Sequence, residues 1–64
     1  MLSNFKKGDT VVMARVRHEK WLGLQAKVVR CVKTRGVVTV EAYVPAYGAV
    51  QLYDARPENI DHAE

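Results

Sequence analysis

Val37-Val38-Thr39-Val40-Glu41-Ala42-Tyr43-Val44, entered from Thr34-Arg35-Gly36 and left through Pro45-Ala46-Tyr47-Gly48, is the stretch that decides the fold. Val38, Val40, Ala42 and Val44 occupy every second position, so an extended chain puts them on one face and Val37, Thr39, Glu41 and Tyr43 on the other. A period of two over eight residues predicts a half-buried β-strand, not an amphipathic helix. Gly36 suits a tight hairpin turn before it, and Pro45 with Gly48 suits a second turn after it.

Working outward, the Val-rich run Ala26 to Lys33 reads as a strand pairing antiparallel with the first across Thr34-Arg35-Gly36. A second alternation runs from Thr10 to Arg17, with Val12, Ala14 and Val16 on one face and Val11, Met13, Arg15 and Arg17 on the other. His18 to Gln25, of mixed polarity and containing Gly23, is expected to be a long loop. Ala49 to Tyr53 makes a fourth strand. Asp54 to Asn59 reads as a single 3-10 turn, and Ile60 closes a short last strand. The expected fold is all-β: a single SH3-like five-stranded small barrel over residues 8–61, with a flexible N-terminal segment 1–7 and a C-terminal tail 62–64. Closure of the barrel would remove the exposed sheet edges.

The chain has 64 residues, enough for one domain that buries only about 60% of its unfolded surface and gains from self-association. The longest uncharged apolar run, between Glu41 and Asp54, is broken by Pro45, Gly48 and Gln51, so no transmembrane segment and no membrane partner are expected. Met1 to Lys7 reaches Gly8-Asp9 before any apolar stretch develops, unlike a secretory leader, and a cytoplasmic location is the expectation. The single Cys31, inside a Val-rich strand, reads as a small buried hydrophobe.

Charge is uneven: residues 1–35 carry nine Lys and Arg against two acids, a net +7, and residues 36–64 carry one against five, a net −4. Such asymmetry implies an anionic partner for the first half or pairing between halves and between subunits. Catalytic motifs are scarce. The chain has no GxGxxG, GxxxxGK[ST], HExxH or CxxC, its two His are far apart, and Ser3 is its only Ser. No metal site and no Ser-His-Asp arrangement is expected. What remains is Val50-Gln51-Leu52-Tyr53, in which Gln51 and Tyr53 share a strand face and Val50 and Leu52 the other. The Gln51 carboxamide offers an acceptor and two donors to an amide-bearing heterocycle, or is simply a surface position.

These residues resemble the type II dihydrofolate reductases, the small plasmid-borne enzymes of trimethoprim resistance. Phe5, Gly8, Asp9 and Val11 match an opening Phe-x-x-Gly-Asp-x-Val, Trp21 and Gly23 a Trp-x-Gly, and Val40-Glu41 a Val-Glu strand. Gly48-Ala49-Val50-Gln51-Leu52-Tyr53 matches the hallmark Val-Gln-Ile-Tyr with its preceding Gly and small residue, and Glu58 and Ile60 match the end. Departures are a longer first loop, Ala49 in place of a Ser, and no His around Val44-Pro45. For the family's basic active-site residue, the register from Gly8-Asp9 gives Met13, and an earlier gap gives Arg15 or Arg17.

The resemblance implies a homotetramer of 222 symmetry with one central pore, in which NADPH reduces dihydrofolate to tetrahydrofolate by direct hydride transfer, insensitive to trimethoprim. It implies Gln51, Leu52 and Tyr53 as catalytic and substrate-binding residues, and Val50, Gln51, Leu52, Tyr53, Arg15 and Arg17 as cofactor-binding. The alternative is a non-enzymatic barrel that binds nucleic acid or a protein partner, since Gly8-Asp9-Thr10-Val11-Val12 and Gln25-Ala26-Lys27-Val28-Val29 also resemble KOW-type openings.

Overall fold

The structure, a computed structural model, describes residues 4–63. The expectations for residues 1–3 and 64 lie outside that range. Five strands run in the order β1 (Thr10–Val12), β2 (Gln25–Val32), β3 (Val37–Val44), β4 (Ala49–Ala55) and β5 (Asp61–His62), with a 3-10 turn at Pro57–Asn59. All neighbours are antiparallel and form one sheet in the spatial order β4-β3-β2-β1-β5. The protein is thus all-β, but its sheet is open. No pairing joins β4 to β5 among the described residues, and the expected closure is replaced by two sheet edges.

β3 has the bounds its alternation predicts, and Val38, Val40, Ala42 and Val44 are all buried while Glu41 and Tyr43 are exposed. Near its start β3 is buried on both faces, because Val37 and Thr39 are covered as well. Thr39 is polar, and its hydroxyl donates to Asp54 Oδ1 at 2.7 Å, so the buried group is satisfied. Arg35 Nη1 donates to the other oxygen of Asp54 at 3.1 Å, tying the β2–β3 turn to β4. The two turns close as their glycines require, with φ of +65° at both Gly36 and Gly48.

β1 is shorter than its alternation suggests, ending at Val12 instead of Arg17. Of the two faces, the one with Val11 and Met13 is the inner: both are fully buried, and Val12 and Ala14 only partly. The ladder to β2 continues through the amide of Met13 on Leu24 and of Gly23 on Met13, then stops because the amide of Arg15 turns to the carbonyl of Asn59 at 2.9 Å. Val16 is buried all the same, carried into the core by a chain that has left the sheet. β2 bears a one-residue irregularity between Val28 and Arg30, which keeps Val28 opposite Val40 and shifts Arg30 opposite Thr39.

One core cluster collects Val11, Met13, Val16, Trp21, Ala26, Val28, Val38, Val40, Ala42, Val44, Ala55 and Ile60, and it takes in Phe5. Phe5 stacks on His62 at 4.6 Å, and His62 Nε2 donates to the carbonyl of Asn4 at 2.7 Å. Residues near the two ends of the described chain are thereby held together. No helix of the described residues is long and apolar enough to cross a membrane.

Val40 is fully buried between β2 and β4. Val40→Ala is expected to lower the unfolding free energy by about 2–3 kcal/mol in urea titration, the lost burial plus the cavity left behind. Val29→Ala, at the half-covered bulge, is expected to cost less than half of that.

Candidate functional site

The first loop, residues 13–24, folds across the end of the sheet to reach β4 and the β3–β4 turn. A tight turn shapes it, with the amides of Trp21 and Leu22 on the carbonyl of His18 at 2.9 and 3.1 Å and the amide of Leu24 on Trp21 at 3.1 Å. This turn drives Trp21 into the core, only 2% exposed, where its ring lies 5.0 Å from that of Tyr53. His18 meets the edges of both Tyr47 and Tyr53 at 6.3 Å, and its Nε2 shares a hydrogen bond of 3.2 Å with the Tyr47 hydroxyl. The Lys20 ammonium stands 5.0 Å over the Tyr47 ring in a cation–π contact.

β4 leads out of this cluster. The register pairs Tyr53 with Val40, Gln51 with Ala42 and Ala49 with Val44, so Gln51 follows Tyr53 on the inner face, about 6–7 Å further along the strand. Ala55 is buried, Tyr53 half-buried, and Gln51 and Ala49 exposed: the inner face of β4 emerges from the core into solvent. On the outer face Val50 lies opposite Tyr43 and Leu52 opposite Glu41. Val50, Leu52 and Tyr43 are exposed by 62%, 60% and 60%, an unusual concentration of apolar surface on so small a chain. The Gln51 side chain makes no hydrogen bond to the described residues, which leaves its carboxamide available to a ligand or a second chain.

The two arginines left open by the sequence have different surroundings. Arg15 holds Asp61 with a fork of two hydrogen bonds, Nη2 to Oδ1 at 2.6 Å and Nη1 to Oδ2 at 3.2 Å, and its Nε donates to the carbonyl of Glu58 at 2.8 Å. It is committed to joining the first loop to the 3-10 turn and β5. Arg17 is exposed, makes no such contact among the described residues, and immediately precedes His18. Of the predicted residues, Val50, Gln51, Leu52 and Tyr53 are brought together on β4. Arg17 is carried by the loop that packs on Tyr53, and Arg15 is held at the sheet edge that ends in β5. The sequence reading missed His18, Lys20 and Tyr47. The aromatic pair at His18 and Trp21, three apart in one turn, was the available signal.

A shallow hollow of about 290 Å³ lies apart from this cluster, lined by Thr10, Gln25, Ala26, Lys27 and Glu41. It falls at the lower limit of ligand clefts. Among the described residues no three His, Cys, Asp or Glu converge.

The fold and site define a small all-β domain with one long, apolar, solvent-facing edge strand and an aromatic loop packed against it. No family model, curated protein or solved structure matches the chain.

The Arg15 hydrogen bonds, opposed by desolvation and aided by charge attraction, hold the Asp61 carboxyl below the usual carboxylate range and push the Arg15 guanidinium further up. A carboxyl whose value is depressed on folding stabilises the fold above its unfolded value, about 3.9, and loses that contribution as the pH falls from there through its lower folded value. Asp61→Asn is therefore expected to lower the Tm slightly at neutral pH and to flatten its fall below about pH 4, as followed by thermal melts over pH.

Proposed function

We propose that the chain works as a reductase of the type II dihydrofolate reductase kind, reducing dihydrofolate with NADPH in a central pore built by four copies of an SH3-like domain. The observation that carries this reading is the exposure of Val50, Gln51 and Leu52 together on the edge strand β4, next to the half-buried Tyr53. The hollow of about 290 Å³ beside Thr10 and Glu41 is too small for a dinucleotide and a folate together, which favours a site shared between copies.

The residues present fit such a pair of ligands. Exposed Val50 and Leu52 supply apolar surface for flat ring systems, and the unpaired Gln51 carboxamide can orient an amide-bearing ring. Tyr53 is held rigid by Trp21 and His18. Arg17, on the loop that packs against β4, supplies a cation for phosphates or for the glutamate tail of a folate. Arg15 fits that role poorly, since its fork is already filled by Asp61. NADPH, when bound, supplies the hydride. The protein's share is to bind both partners, keep their rings stacked and exclude water between them. The carboxyl groups nearest Leu52 are those of Glu41 across the ladder and of Asp54, which Thr39 and Arg35 already hold, and the proton is expected to come from water.

A nucleic-acid reading draws on the exposed cations Lys6, Lys7, Arg17, Lys20, Lys27, Arg30 and Lys33, all in the first half of the chain. Trp21, the aromatic of that half best suited to stacking, is buried, which weighs against single-strand binding.

Loss of NADPH absorbance in the presence of dihydrofolate and trimethoprim tests the proposal. Turnover unaffected by trimethoprim is expected, together with a tetramer in sedimentation, whereas a folded tetramer without turnover would overturn it. Gln51→Ala is expected to lower kcat/KM by about tenfold, the worth of one or two ligand hydrogen bonds, while far-UV circular dichroism stays unchanged. Steep weakening of RNA or DNA binding with salt would favour the nucleic-acid reading instead.

A further inference from the structure

The cations of the first half are not spread evenly over the surface. The turn at residues 6–9, closed by the amide of Asp9 on the carbonyl of Lys6 at 3.0 Å, is held beside β2 by two backbone bonds. They run from the amide of Gly8 to Val28 and from the amide of Val28 to Asp9, both at 2.9 Å. Just before the turn, the carbonyl of Phe5 accepts from Cys31 Sγ at 3.2 Å. Lys6 and Lys7 therefore flank the stretch from Val28 to Cys31, whose own exposed cation is Arg30, and Lys33 follows directly on the end of β2. All four side chains are exposed, and none forms an ion pair among the described residues.

The acids of this corner are already taken. Asp9 Oδ2 accepts from the amide of Lys6 at 3.0 Å, and Asp54 holds Thr39 and Arg35. Glu41 stands opposite Lys27, further along β3, and Glu19 lies in the turn of the first loop. Four like charges gathered without a neutralising acid create a local positive potential that draws a polyanion. The make-up of the corner narrows the partner. None of the large exposed apolar side chains, Leu22, Tyr43, Tyr47, Val50 and Leu52, belongs to it, so it offers nothing to stack on unpaired bases or to sink into a lipid surface. Its carboxylates, the groups that would accept from a ribose 2′-hydroxyl, are occupied. What such a surface can do is neutralise phosphates along a duplex.

We propose that the corner formed by Lys6, Lys7, Arg30 and Lys33 docks on the phosphate backbone of double-stranded DNA, without regard to base sequence. This deepens the nucleic-acid reading named above and draws nothing from the reductase one. β3 starts at Val37 beside the corner and ends at Val44, whose carbonyl takes the amide of Tyr47, and Val50 lies opposite Tyr43 near that far end. One chain can thus carry both surfaces.

Fluorescence anisotropy of a short labelled DNA duplex, titrated with the full chain at several salt concentrations, tests the proposal. Four phosphate contacts give a slope of log K against log salt of about −3 to −4. The double variant Arg30→Gln with Lys33→Gln is expected to bind about tenfold more weakly and to lower that slope by about two, with circular dichroism and any reductase turnover unchanged. Lys20→Gln with Lys27→Gln, which removes the same charge elsewhere, is expected to change binding less than about twofold. Equal losses in the two double variants would overturn the location while leaving the nucleic-acid reading in place. Absence of binding by the wild type would overturn both. Tighter binding to the single strand or to duplex RNA, or equal competition by polyglutamate at matched charge, would overturn double-stranded DNA as the partner.

Discussion

Val40 sits in the middle of a row that crosses three strands, with Val28 opposite it on β2 and Tyr53 on β4, and the ring of Trp21 closes the row from the first loop. The rest of the structure depends on this row. It joins the strand pair carrying the basic half of the chain to the strand carrying Val50-Gln51-Leu52-Tyr53. It also gives a loop of about a dozen residues a reason to have one shape. Without Trp21 beneath Tyr53, the loop that brings His18 and Lys20 to Tyr47 would lose its anchor. Packing and site geometry are here a single matter, since the residue that anchors the loop is the one that steadies the exposed strand.

The sequence was most informative where burial is one-sided. β3 was legible to the residue, because Val38, Val40, Ala42 and Val44 face the core and Glu41 and Tyr43 do not. Both hairpin turns were legible too, through Gly36 and Gly48. β1 was not, since Arg15 and Arg17 continue an alternation that the backbone abandons: the amide of Arg15 bonds to Asn59, a residue no local pattern could nominate. Openness of the sheet was hidden for a similar reason. Whether β4 meets β5 depends on the reach of the segment around the 3-10 turn, and Ile60 enters the core just before β5 instead of lying in it.

For the candidate site, strand parity correctly separated Gln51 and Tyr53 from Val50 and Leu52, yet parity says nothing about how far each face is covered. Gln51 and Tyr53 share a face and differ in burial because the loop covers one and stops short of the other. His18 and Tyr47 are 29 residues apart and meet only through the fold. Arg15 and Arg17 were equivalent as cations in the sequence and became different once Asp61 occupied the first.

The Phe5–His62 stack, with His62 Nε2 on the carbonyl of Asn4 58 residues away, joins the two ends of the described chain. Bringing such distant positions together costs loop-closure entropy that grows with the logarithm of the separation, and little of it is recovered until the intervening hairpins have formed. The clasp is thus late in the order of assembly and early in the order of opening, while the β2–β3–β4 meander, made of neighbours in sequence, can persist without it. Amide hydrogen exchange would see two tiers, with Ala63 and the segment around Phe5 exchanging through local opening and Val38 and Val40 only through loss of the whole sheet.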